Sequence, residues 1–462
     1  MLLNSLDPDV AERPQDLMIC GAAGKAAADW DCFHSIVASL RQLEGDESLV
    51  VESGRPAGVF RTNTLSPRVV VTSTAGREGA GDWLYAGTQT ALPGTYEFFG
   101  TVARKHFAGT LAGRLVIAGG MGGTGGAQPL AATLNGAAFL GIDPDAERIK
   151  RRVKTGYCEA LVNDLDEALR ILKNAVRKRA AASVGLIGNC ADVIPELARR
   201  GVVPDLLTDQ TPAHEPFDGY IPQGLTPEAA ADLRNKDAGA YRQRALHSIA
   251  SHVAGMRDLE KLGARVIVGG NGIVGDDRQH GSGVEHTFSN PGEYLRPLLE
   301  EGRRPTVWLA LSGEPNDIAR ADRLALEMFS DDERLERWIA LARKYIRFQG
   351  LPARVAWLRE RDRSELALGL NDLVARGEIT AAVLIGRGFP SPEPAGAAPS
   401  HRAPTPGGSE AAKALLRALP GTTSGTCWVL IRGGNAAGDP RPHTAQAVVA
   451  DGTTEARERM AH

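Results

Sequence analysis

The chain has 462 residues, 43% of them hydrophobic, and a formal net charge of −3. That length allows two or three domains with buried cores and excludes wholesale disorder. A near-neutral balance of 53 basic and 56 acidic residues offers no footprint for nucleic acid or an anionic membrane surface.

The opening MLLNSLDPDV puts Asp7 where a secretory signal would need an unbroken apolar core, and no apolar run is long enough to span a membrane. A soluble cytoplasmic protein is expected. Cys20, Cys32, Cys158, Cys190 and Cys427 form no C-x-x-C pair, so neither a zinc ribbon nor a redox motif is expected, and no metal site. They read as small buried hydrophobes.

In chain order, 31–43 has helical spacing. Ser48 to Val51 leads to a turn at Ser53-Gly54-Arg55-Pro56, and Arg68 to Thr72 reads as a buried strand. The stretch 75–81 reads as a glycine-rich loop, and Trp83 to Gly94 as a second polar turn. Leu115 to Ala118 then runs into six glycines within eight residues, followed by a helix-forming segment from Pro129 to Leu140.

Strand, glycine turn and helix in that order build a phosphate cradle. Glycine lets backbone N–H groups approach a pyrophosphate, and a helix N-terminus adds partial positive charge. Gly120, Gly122 and Gly125 fit the spacing G-x-G-x-x-G, with Gly123, Thr124 and Gly126 in the same bend. Asp143 closes a second apolar run, Ala137 to Ile142, about 20 residues on, where a dinucleotide site places a carboxylate for ribose hydroxyls. The same glycines would also serve a tight turn that packs a helix on a sheet.

Strands and helices go on alternating. Val184 to Ile187 runs into Gly188-Asn189-Cys190 and a helix from Val193 to Arg200. Pro204 to Leu207 runs into Thr208-Asp209-Gln210-Thr211, and a long polar helical stretch covers Pro227 to Leu262. Arg265 to Val268 runs into Gly269-Gly270-Asn271-Gly272. In an open parallel sheet, ligands sit off the carboxyl ends of the strands, so Gly120, Asn189, Asp209, Gln210 and Asn271 are expected to converge on one crevice. Beyond Pro305, the segments Thr306 to Leu311, Arg354 to Leu358, Ile379 to Ile385 and Thr426 to Ile431 read as buried strands. Helices at Glu333 to Tyr345 and Arg363 to Ala375 lie between them, and 389–408 reads as a proline-rich loop or lid.

Several ordered segments together resemble the urocanase (urocanate hydratase) family. They are SLDPDVAERP (5–14), SGRPAGVFRT (53–62), GGMGGTGGAQPLAATL (119–134), GNCADVIPEL (188–197), DQTPAHEPFDGYIPQG (209–224), LSGEPNDI (311–318), FQGLPARVAW (348–357) and SGTCWV (424–429). The resemblance implies an α/β homodimer with a Rossmann-like NAD-binding domain (111–304) inserted into an α/β core formed from both chain ends (1–110 and 305–462). It also implies a tightly held NAD⁺ that accepts no hydride overall. The imidazole ring attacks its nicotinamide, so that a proton adds to the substrate side chain and water to the ring.

Matching residue by residue, the resemblance places NAD contacts on Gly21, Ala22, Gly123, Thr124, Gly125, Asp143, Arg148, Asn189 and Cys190. It adds Gln210, Thr211, Pro212, Ala213, His214, Tyr220 and Ile221, with a structural or cofactor-positioning role for His214. The substrate half departs from the family. Where the family has a cysteine before the tryptophan of the FQGLPAR segment, this chain has Ala356. An aspartate after Ile-Gly-Arg is Gly388, an arginine before the W-x-A-L-S-G-E segment is Val307, and a tyrosine before the early glycine pair is Cys20.

Valine cannot fork a carboxylate as arginine does. The expected function is therefore water addition to a urocanate-like imidazole other than plain urocanate, such as an S-methylated thiourocanate. An NAD-dependent oxidoreductase and a non-catalytic NAD-binding paralogue are the alternatives. No residue stands out as general acid. Arg387 and Arg402 flank the proline-rich loop as anion candidates, and His401, His443, Glu285 and His286 are further polar candidates.

Overall fold

The structure is a computed structural model, and it describes residues 1–20, 24–73, 83–213, 219–268, 292–387, 425–432 and 443–461. The strands are β1 (Met18–Cys20), β2 (Gly24–Lys25), β3 (Glu47–Glu52), β4 (Arg55–Arg61), β5 (Val69–Ser73), β6 (Leu115–Gly119), β7 (Ala138–Asp143) and β8 (Ala160–Val162). They continue with β9 (Ala182–Ile187), β10 (Leu206–Asp209), β11 (Arg265–Val266), β12 (Arg303–Ala310), β13 (Ala353–Arg359), β14 (Val383–Arg387), β15 (Trp428–Arg432) and β16 (His443–Ala450). The chain divides into two compact units, one continuous from Gly94 to Arg296 and one drawing on both chain ends, Met1–Pro93 and the chain from Pro297 on. The inserted unit starts earlier than position 111, because the helix Leu92–His106 contributes to it. In that unit the carbonyl of Tyr96 accepts from Asn135 Nδ2 at 3.1 Å, and Phe98 meets Tyr294 edge-on.

The inserted unit holds a parallel sheet in the order β11-β10-β6-β7-β9-β8. Its central strands are almost continuously apolar, because helices cover both faces of such a sheet. Ile117, Leu140, Ile142, Val184 and Leu207 pack with Leu172, Ile194, Leu197 and Met256 from those helices. The helices start at side-chain caps. Asp145, Asp164, Asn189, Thr226 and Asp237 each accept a backbone N–H of the first turn. From β6 the chain moves to β7 on one side, while β10 lies on the other, so the topological switch falls between β6 and β10.

The second unit holds a mixed sheet in the order β13-β12-β14-β16-β15-β5-β3-β4. Leu49, Val51, Val71, Leu384, Leu430 and Ala447 project from one face onto Ile19, Phe33 and Ile36, and on the same face Val307, Leu309, Ala353 and Val355 gather around Ala86. The other face meets helices that include Pro315–Met328 and Glu360–Ala375, and there Asp322 pairs with Arg354 of β13. No helix among the described residues is long and apolar enough to cross a membrane.

Several boundaries differ from those read in the sequence. The helix after the glycines is Gln128–Leu134 and ends at Asn135-Gly136, where Gly136 takes φ +93° and a Cβ would lie 3.1 Å from the Ala112 backbone nitrogen. The expected helix to Leu140 is replaced by β7. The long polar helix breaks at Asp237, whose φ of −150° ends Pro227–Lys236 and whose side chain caps Ala238–Lys261. The turn expected over 83–94 is a short 3₁₀ segment, Gly87–Thr90, leading straight into the helix Leu92–His106. The glycine-rich stretch 75–81 and the loop 389–408 lie outside the described residues.

Candidate functional site: a glycine cradle at the strand switch

Gly120 follows β6 with φ +83°, and a Cβ there would stand 2.8 Å from the carbonyl carbon and oxygen of Gln210. A Cβ on Gly125 would stand 2.2 Å from the Gly120 carbonyl oxygen. Both obstacles are backbone, so only glycine lets the turn close this tightly. The turn is held by bonds from Gly126 N–H to the Gly122 carbonyl (2.7 Å) and from Gln210 N–H to the Gly119 carbonyl (2.9 Å). Gly123 is buried, and Thr124 is exposed at the bend.

Asp143 ends β7 and is 1% exposed. One oxygen accepts the Met121 N–H at 2.7 Å and the other the Asp145 N–H at 2.9 Å, with Arg148 Nη1 at 3.7 Å. Burial pushes this carboxyl up from its ordinary value, against the pull of Arg148 and the two N–H donors. In this form Asp143 holds the glycine turn to the end of β7. The sequence reading missed Arg152. It looks like one of several charges on the helix Ala146–Lys154, yet it is buried, and its Nε donates to the Met121 carbonyl at 3.1 Å.

Asn189 caps the next helix through the Ala191 N–H and donates its Nδ2 to the Ile221 carbonyl at 2.8 Å. Cys190 is buried beside the Ile142 carbonyl, and burial, with Asp209 and Asp143 nearby, drives its thiol well above the ordinary value. Asp209 Oδ1 accepts the N–H and hydroxyl of Thr211 at 3.0 and 2.6 Å. Ala213 follows the turn, buried, and donates its N–H to the Thr211 carbonyl across Pro212. Tyr220 is buried, its hydroxyl 3.3 Å from His252 Nδ1.

Thus the glycine turn, Asp143, Arg148, Asn189, Cys190, Gln210, Thr211, Tyr220 and Ile221 are linked by contacts around the carboxyl ends of β6, β7, β9 and β10. Gly21, Ala22, His214, Asn271, Glu285, His286, Gly388, His401 and Arg402 lie outside the described residues.

His252 was not among the residues picked from the sequence. It is wholly buried, and desolvation lowers its imidazole from 6.5 to about 3. A group whose folded value is depressed leaves stability intact above its unfolded value and erodes it as the pH falls toward the folded one. The native state is therefore expected to lose about 1.4 kcal/mol per pH unit below about 6.5 through this group. Urea denaturation at pH 7 and pH 5 checks it, and an identical slope in His252→Gln would refute the assignment.

Of the four positions expected in the substrate pocket, Cys20, Val307 and Ala356 are described, and these three do not form one wall. The register sets Ala356, Thr306, Arg387 and Gln446 in a row across β13, β12, β14 and β16. Directly opposed residues share a face, so Ala356 and Arg387 project toward the helical layer. Val307, opposite Val355 and Gly386, projects to the other face, where half-buried Cys20 also packs. The correction is that Ala356 is separated from Val307 and Cys20 by the sheet itself. His443 opens β16 opposite Arg432.

A parallel sheet with a glycine turn at its switch point is a Rossmann-like α/β arrangement. The chain belongs to the urocanase family: the urocanase N-terminal domain matches residues 1–76, the urocanase Rossmann-like domain 87–295 and the urocanase C-terminal domain 297–462. Membership supports urocanase-like hydratase, that is hydro-lyase, activity. Among solved structures, a dipicolinate synthase polypeptide from Bacillus halodurans is similar at 13% identity over 53% of this chain and 71% of that one, with a TM-score of 0.21.

Proposed function

We propose that this chain binds NAD⁺ in the cradle and adds water to a urocanate-like imidazole that is not plain urocanate. The observation that carries the cofactor is the turn itself, where Cβ atoms at Gly120 and Gly125 would strike backbone. The glycine turn with Gln210, Thr211, Asn189 and Tyr220 would hold the dinucleotide, and Asp143 would keep the turn in shape. The oxidised nicotinamide supplies an electron sink when bound. The altered substrate rests on Val307. It is 2% exposed in a cluster with Leu309, Ala353 and Val355, and a valine side chain offers no donor to fork a carboxylate.

Mass spectrometry of the purified protein is expected to find NAD⁺. Incubation with urocanate and with ring-substituted analogues, methylthio-urocanate among them, is expected to bleach the ultraviolet absorbance of an analogue faster than that of urocanate. Faster loss of urocanate would overturn the altered pocket, and no loss across the panel would overturn the hydratase. Absorbance growing at about 340 nm would mark an oxidoreductase instead.

A further inference from the structure

Three buried polar side chains from separate segments meet at the ends of β6 and β10. They are the Cys190 thiol, the Asp209 carboxylate and the His252 imidazole, with donor atoms within 4.8 Å of one another. His252 stands in the middle of the helix Ala238–Lys261, its Nε2 3.6 Å from Asp209 Oδ2 and its Nδ1 3.3 Å from the Tyr220 hydroxyl. Tyr220 and Ile221 lie in neither a strand nor a helix. Their carbonyls are held by the Tyr241 hydroxyl at 2.9 Å and by Asn189 Nδ2 at 2.8 Å. Among the contacts described, the Tyr220 side chain is held by His252.

We infer that His252 is a positioning residue of the dinucleotide site, its imidazole tying the turn at Asp209–Thr211 to the segment Tyr220–Ile221 so that both keep the form that receives the cofactor. The inference rests on the NAD⁺ reading above.

The donor inventory fixes how the tie is made. A neutral imidazole carries one N–H and one lone pair, and a carboxylate only accepts. The favoured arrangement has the N–H on Nε2, facing Asp209 Oδ2 across 3.6 Å in an electrostatic contact longer than a hydrogen bond, while Nδ1 accepts from the Tyr220 hydroxyl at 3.3 Å. The opposite tautomer would set a lone pair against the carboxylate oxygen. Burial keeps the imidazole neutral and raises the phenol well above its ordinary value, so both groups are in the protonation states this arrangement needs. In such a low-dielectric place, removing the middle member leaves polar groups on both sides without their partner. Gly119 belongs to the same arrangement. A Cβ there would lie 2.2 Å from Asp209 Oδ2 and 2.9 Å from Cys190 Sγ, so the end of β6 makes room for the cluster. Thiol, imidazole and carboxylate are also the ligand types of zinc, and the test separates that possibility.

The full chain is stripped of nucleotide and titrated with NAD⁺. The same is done for His252→Phe, His252→Asn, Tyr220→Phe and the double variant His252→Phe/Tyr220→Phe. Each single change to phenylalanine is expected to weaken NAD⁺ binding about tenfold, and the double variant to be no weaker than the worse single one, because both remove one link. His252→Asn, which keeps a donor and an acceptor, is expected to recover part of the affinity. A role confined to stability would lower the melting temperature and leave the dissociation constant unchanged.

Wild-type affinity in His252→Phe, or in Tyr220→Phe should His252→Phe not fold, overturns the inference, as do additive effects in the double variant or one zinc per chain in the purified protein. A wild-type chain that takes up no NAD⁺ overturns the proposed function and this inference together.

Discussion

Gly120→Ala is expected to emerge from purification free of dinucleotide. Two costs add at this position. An L-residue at φ +83° gives up about 1–2 kcal/mol to backbone strain. The new methyl would also sit 2.8 Å from the carbonyl group of Gln210, which is main chain and cannot rotate aside. Relief requires the ends of β6 and β10 to move apart, and that breaks the bond from Gln210 N–H to the Gly119 carbonyl. The movement would open the switch point, where open parallel sheets of this kind receive their ligands.

Gly201→Ala separates the two costs. Gly201 also has a positive φ, +63°, but nothing stands within 4 Å of its Cβ position. That variant is expected to lose about 1 kcal/mol and keep its nucleotide. Mass spectrometry of the denatured proteins, with thermal melting, gives the comparison. A full complement of NAD⁺ in Gly120→Ala would place the cradle elsewhere.

The residues legible in the sequence are those whose meaning is local. An apolar run ending in small or amide residues announces a buried parallel strand and its carboxyl end, so Gly120, Asn189, Asp209 and Gln210 could be set on one edge before any coordinates. Side chains whose meaning depends on a distant partner were not legible. His252 sits in a helix with mixed sides, and only packing brings it to Asp209. Arg152 reads as one more solvated charge until the Met121 carbonyl is found beneath it. Asp143 was legible in position, but the two backbone N–H groups of Met121 and Asp145 that its carboxylate holds were not. The separation of Ala356 from Val307 depends on the register of β12 against β13. A shift of one residue would have placed them together, and a single sequence does not encode that register visibly.

The largest loss of stability is expected from Asp322→Ala. Trp308 of β12 and Arg354 of β13 are direct neighbours in the ladder, and both turn toward Asp322 on the helix Pro315–Met328. The carboxylate takes Arg354 Nη2 at 2.9 Å and Nε at 3.2 Å, and Trp308 Nε1 at 3.2 Å. The ion pair is 2% and 0% exposed, so solvent does not screen it. Removing the carboxylate leaves a guanidinium that always carries its charge inside the core, a cost of about 3–5 kcal/mol. Urea denaturation gives the figure directly.

The charge itself is the cause if a second change repairs the first. Replacing both partners by apolar residues, as in Asp322→Leu with Arg354→Met, removes the stranded charge and is expected to return most of the loss. If the double variant is as unstable as Asp322→Ala, the deficit lies in the lost bond to the Trp308 indole and in packing rather than in the buried cation.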